Sequence, residues 1–134
     1  KVGTRLRRHD LQASTFFIGL RTRHGWVGGK LHCALPTNDG GIIMALCRQV
    51  ISDMWSGQGV HQVQVTALNP ASSGYQPDLF HVPKEAQREI NNVMDAVNQR
   101  YGELTLAPAR LLNRSSMPNV IAPAWKPFGH RQTL

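Results

Sequence analysis

The sequence is short of acid. Its 134 residues carry 8 Asp and Glu against 15 Lys and Arg, a formal charge of +7 and a pI near 10.3. Charged residues are 17% of the chain and hydrophobic ones 41%, which excludes a disordered basic tail and a highly charged coiled coil. It also lacks any run approaching ~18 apolar residues, and the opening Lys1-Val2-Gly3-Thr4-Arg5 has no apolar stretch of the secretory kind, so it reads as a soluble protein. Cysteine is scarce: Cys33 and Cys47 sit in apolar stretches without a second Cys or a His at metal-ligand spacing. That excludes a disulfide framework and a zinc module, and points to two small buried side chains in a reducing, cytoplasmic compartment.

What is present is basic at both ends. Lys1, Arg5, Arg7, Arg8, Arg21, Arg23 and Lys30 face Asp10 alone within residues 1–30, and residues 104–134 hold four bases and no acid. The middle is mildly acidic. Such a distribution favours a polyanionic partner, nucleic acid first and an anionic membrane surface second.

The pattern of apolar residues predicts alternating elements. Val2 and Leu6 read as the end of a helix, and its abrupt start at Lys1 reads as a cut from a longer chain. Residues 14–22 predict a strand with Phe16, Ile18 and Leu20 on one face and Phe17, Gly19 and Arg21 on the other. A turn at Arg23-His24-Gly25 leads to a second strand over 26–35, with Leu31, Cys33 and Leu35 inward and Lys30, His32 and Ala34 outward. Pro36-Thr37-Asn38-Asp39 is a helix-start signal, followed by Ile43, Leu46 or Cys47, Val50 and Met54 at helical spacing. A third strand over 60–68 places Val63, Val65 and Ala67 opposite Gln62, Gln64 and Thr66, and Asn69 to Gly74 reads as a loop. Val82-Pro83 sets up a helix with the stripe Ala86, Ile90, Val93, Met94, Val97 and Tyr101, stopped by Gly102. Beyond it at most one short strand is expected, at Leu104 to Leu106, within a basic, Pro-containing tail.

No catalytic constellation emerges. Asp39 reads as a cap, Asp53 lies late in a helix and Asp78 stands in a loop, so no carboxylate pair is set up for acid/base work or for magnesium. The six histidines show neither HxH nor HxxxH spacing, and Gly28-Gly29 and Gly40-Gly41 do not follow a strand as a phosphate loop does. A binding role fits better. Three antiparallel strands would leave a polar outer face of Phe17, Arg21, Lys30, His32, Gln62, Gln64 and Thr66, with the apolar face matched by the two helical stripes. The expected fold is therefore α+β, an antiparallel sheet with helices on one face and the other open to solvent. The open face suits phosphate backbones, and Gly28-Gly29 would admit a phosphate close to the backbone or mark an edge bulge.

Gln76-Pro77-Asp78-Leu79-Phe80 follows the third strand. Two adjacent large apolar residues in such a loop need a pocket. The stretch resembles the pentapeptide with which bacterial proteins dock on the sliding clamp, Gln76 bonding at the pocket mouth and Leu79 and Phe80 filling it.

The order of pieces carries a wider resemblance. Val2-Gly3-Thr4-Arg5-Leu6-Arg7-Arg8, the strand ending Leu20-Arg21-Thr22, Leu35-Pro36-Thr37-Asn38-Asp39 opening a helix, and the strand ending Leu68-Asn69-Pro70 together resemble the little-finger domain of bacterial Y-family translesion DNA polymerases, of DinB/UmuC (impB/mucB/samB) type. The helix from Lys84 to Gly102, with Met94-Asp95-Ala96-Val97-Asn98 and Arg100-Tyr101-Gly102, is similar to the carboxy-terminal extension of the UmuC branch. The resemblance spans residues 1 to 103.

What it implies is the C-terminal, DNA-gripping part of a lesion-bypass polymerase, active in DNA repair and SOS-type damage tolerance in the bacterial cytoplasm. Its sheet would contact template and primer phosphates through Arg21, Lys30, His32, Gln62, Gln64 and Thr66, and Gln76, Leu79 and Phe80 would bind the clamp. No cofactor is expected in this chain, because the magnesium-binding carboxylates of such enzymes sit in the palm, upstream. The expected organisation is a little-finger core over 1–72, a clamp loop over 73–82, a helix over 83–103 and a basic tail over 104–134. Two departures stand out. The opening strand and most of the first helix of the family domain are missing, so the exposed edge would allow a homodimer or a swap. The segment Ile121 to Pro127 does not match the UmuC tail. Two alternatives remain open: a catalytically inactive accessory protein of the same family, and an unrelated basic RNA- or ribosome-binding module.

Overall fold

A twelve-residue run of strand formers in the first quarter of the chain organises the fold. In the computed structural model, which describes residues 1–73 and 85–111, β1 (Leu11–Thr22) is the central strand. It pairs antiparallel with β2 (Gly25–Thr37) on one side and β3 (Val60–Leu68) on the other. Two helices precede β1 and follow β2: α1 (Val2–Arg8) and α2 (Gly40–Met54). The molecule is α+β, with an open antiparallel sheet, as the alternation predicts.

Even-numbered β1 positions point at the helices. Phe16 and Ile18 are completely buried and Leu20 and Thr22 nearly so; with Leu6 of α1 and Ile43 and Val50 of α2, Phe16 and Ile18 form the core. Burying such a side chain contributes roughly 1.5–3 kcal/mol, so this one strand face supplies much of the driving force. Leu31 and Cys33 of β2 and Val65 and Ala67 of β3 pack around it. Val63 departs from expectation: it is 63% exposed although it shares the apolar face. It pairs with Leu20, near the hairpin-turn end of β1, whereas the helix residues in the core meet Phe16 and Ile18.

The local signals explain the boundaries. The Asp39 carboxylate accepts from the amides of Gly41 and Ile42 at 2.6 and 3.2 Å, capping α2, while the Thr37 hydroxyl accepts from Asp39 N at 3.1 Å. Arg5, Arg7 and Arg8 crowd the last turn of α1, where the helix dipole favours cations. Arg7 also donates to Asn38 O at 2.6 Å, tying α1 to the α2 entry. At the hairpin turn the Thr22 hydroxyl accepts from His24 N and donates to Gly25 O, which makes a buried threonine affordable.

One expected loop and one expected strand behave differently. The segment after β3 resumes pairing as β4 (Ala71–Ser72), opposite Leu11 and Gln12, in the register β3 already holds against β1. Asn69, with φ 47°, and Pro70, which has no N–H, interrupt the ladder without shifting it. Ser73 N then donates to Asp10 O at 2.8 Å. The strand expected at Leu104 to Leu106 is absent: those residues form turns held back on a helix end.

The chain divides into two units, Lys1–Arg88 and Glu89–Leu134. The helix α3 (Glu85–Tyr101) ends at Gly102, whose φ of 109° suits glycine. Asn98 clasps the following turn, donating to Leu106 O and accepting from Leu106 N, both at 2.8 Å. Ile90, Val93 and Tyr101 of the α3 apolar stripe are exposed; within the first unit the helical residues of the core come from α1 and α2. The Arg100 guanidinium lies over the Tyr101 ring, 5.3 Å from its centroid.

Candidate nucleic-acid interface

From Thr15 to Arg21 the odd-numbered β1 residues face away from the core, whereas Ala13, before a register shift in the β1–β2 ladder, belongs to it; register assigns their neighbours. From the hairpin end, Arg21 lies between Trp26 and Gln62, Gly19 between Gly28 and Gln64, Phe17 between Lys30 and Thr66, and Thr15 between His32 and Leu68. All six strand residues singled out from the sequence, Arg21, Lys30, His32, Gln62, Gln64 and Thr66, therefore share one face. Gln62, Gln64 and Thr66 keep one unbroken register, and the bulge at His61, between the pairs Arg21–Gln62 and Thr22–Val60, comes only beyond them.

These residues are not equivalent chemically. Arg21 and Lys30 are exposed cations, and none of the four strands contains an Asp or Glu. Their charge is thus uncompensated within the sheet. His32 is already engaged through Nδ1 with the Thr15 hydroxyl at 3.0 Å, and the Gln64 amide donates to the Thr66 hydroxyl at 3.2 Å. Those contacts orient polar groups along the face instead of leaving them to rotate. Arg23 and His24 add basic side chains at the turn. The face can attract and hold a polyanion without reading sequence.

Trp26 was not among the outward residues expected. It stands on this face, 47% exposed, opposite Arg21. Period-two alternation back from Lys30 already puts Trp26 on this face, and the register across the turn from Thr22 to Gly25 sets it opposite Arg21. The glycines also have different reasons from those expected. Gly28, at φ 153°, pairs regularly with Gly19, and a Cβ there would run into the Ile18 carbonyl oxygen. Gly29 faces the helices, where a Cβ would meet Met54 Cε at 3.0 Å. Strand packing crowds both positions, and the ladder runs regularly through them without an edge bulge.

Burial raises the thiols of both Cys33 and Cys47 above their ordinary range, so neither is a ready nucleophile near neutral pH. Among the described residues no three His, Cys, Asp or Glu side chains gather as a metal site, and no helix is long and apolar enough to cross a membrane. Gln76, Leu79 and Phe80 lie outside the described residues, as does the tail beyond Leu111.

A two-layer α+β module with an open antiparallel sheet whose outer face is basic and free of carboxylates defines the class by its geometry. Comparison makes it particular. Residues 1–79 match the model of the impB/mucB/samB family C-terminal domain. The chain belongs to this family and carries the C-terminal, little-finger domain of the Y-family type. It is 29% identical over 114 residues to a Bacillus subtilis (strain 168) protein that bears the name UV-damage repair protein UvrX, covering 81% of this chain and 27% of that relative. The chain thus spans about a quarter of the curated relative it matches. No solved structure matches it significantly.

Proposed function

We propose that this chain is the DNA-gripping C-terminal module of a lesion-bypass DNA polymerase of the Y family, serving DNA repair and SOS-type damage tolerance in the bacterial cytoplasm. The observation that carries the reading is the open sheet face, where Arg21 and Lys30 stand uncompensated among His32, Gln62, Gln64 and Thr66. Contacts of this kind hold the phosphates of template and primer irrespective of base sequence. The relative's name, which refers to UV damage, agrees with such a role. Polymerisation itself, with its magnesium, belongs to a palm outside this chain. The test is primer-template binding by the purified chain: Arg21→Ala with Lys30→Ala should weaken binding to unrelated sequences equally, and an unchanged affinity would remove the sheet from the interface.

Docking on the sliding clamp is the second part of the proposal and rests on Gln76, Leu79 and Phe80. Truncating two hot-spot side chains costs on the order of 2 kcal/mol each. Leu79→Ala with Phe80→Ala should therefore abolish clamp binding in surface plasmon resonance while leaving DNA affinity intact. Equal clamp affinity for the variant and the parent would end the clamp assignment.

A further inference from the structure

The open face is aromatic as well as basic. Phe17 and Trp26 lean together over Gly19, where a Cβ would lie 2.9 Å from Phe17 Cε1 and 3.1 Å from Trp26 Cε3. Register places them independently: Phe17 precedes Gly19 on the same face, and Trp26 sits diagonally across the hairpin from it. The Gly19–Gly28 pair removes two side chains from the middle of the face, and the rings occupy the space. Trp26 nevertheless leaves nearly half its surface in water. Arg21 and Lys30 stand to either side, their backbone positions roughly 14 Å apart by strand geometry.

Gripping a phosphate backbone needs cations and small polar groups, not an exposed indole. An aromatic face is suited to the flat face of a nucleobase, and such stacking is indifferent to which base is presented. Bases in a duplex are stacked on one another and unavailable, so the ring can engage only an unpaired one. The absence of any carboxylate from the four strands favours a partner that is itself an anion. We propose that this face binds single-stranded DNA, stacking an unpaired base on Trp26 while Arg21 and Lys30 hold the flanking phosphates. The inference rests on the reading that the sheet meets DNA and narrows it from duplex backbone to an unpaired stretch.

Fluorescence anisotropy on the full chain, with a labelled single strand, a duplex of equal length and an abasic single strand, separates the possibilities. Trp26→Leu, which keeps bulk without a π-face, should weaken the single strand roughly 5- to 100-fold and leave the abasic strand and the duplex unchanged. Trp26→Phe should recover most of the loss. Circular dichroism and thermal melting check that each variant is folded, and Trp26 lies outside the core. If Trp26→Leu binds the single strand as the parent does, or loses the abasic strand equally, stacking is wrong. Arg21→Ala with Lys30→Ala should weaken all three ligands. If that double variant matters and Trp26 does not, the interface stands and the stacking falls; if neither matters, both fall.

Discussion

Gly28 shows at the residue scale how a motif position can be required by the chain's own neighbour. Its φ of 153° is open to glycine, and a Cβ would lie 2.7 Å from Gly19 Cα besides striking the Ile18 carbonyl oxygen. Gly28→Ala should cost about 2–4 kcal/mol, combining backbone strain with overpacking. Urea denaturation followed by circular dichroism checks this, and an unchanged midpoint would mean that the hairpin relaxes freely. The glycine pair is visible in the sequence, but its reason is not. Which atom crowds Gly28 depends on pairing with β1, a relation fixed by register rather than by neighbours in the chain. The same holds for Trp26, whose place opposite Arg21 follows from the turn length. By contrast, Asp39 is legible at once, since a cap acts on amides two and three residues away.

At the scale of elements, strands were legible wherever β-branched and aromatic residues alternate, which is why β3 spans the expected residues 60–68. What could not be read was pairing that local chemistry argues against. Asn69-Pro70 is a strong break signal, yet the ladder resumes at Ala71, opposite Gln12, in the register that β3 holds against β1. Leu104 to Leu106 looks like a strand and instead folds against α3, with Leu104 at φ 67°, an unfavourable backbone for a leucine. Asn98 is the residue that holds this turn, satisfying both the amide and the carbonyl of Leu106. Asn98→Ala should release it: hydrogen exchange at the Leu106 amide is expected to accelerate severalfold while the amides in the middle of α3 keep their rates. Equal protection of Leu106 in the variant would show another group holding the turn.

At the scale of the whole molecule, the charge of +7 matters through its placement. A net +6 falls within residues 1–30, and the sheet itself holds no acid. Binding to duplex DNA should weaken linearly in log–log plots against salt, with a slope of about −0.9 per phosphate neutralised, and Arg21→Ala with Lys30→Ala should flatten it by about 1.8. Titrations at four salt concentrations measure this; an unaltered slope would place the contacts elsewhere. The bond from Ser73 N to Asp10 O has a consequence of its own. It moors the chain to the corner of the sheet three residues before Gln76, and three residues extend at most about 11 Å. If the proposed docking through Gln76 holds, covalent geometry alone brings whatever it binds within about that distance of the sheet's edge, next to any DNA on the open face.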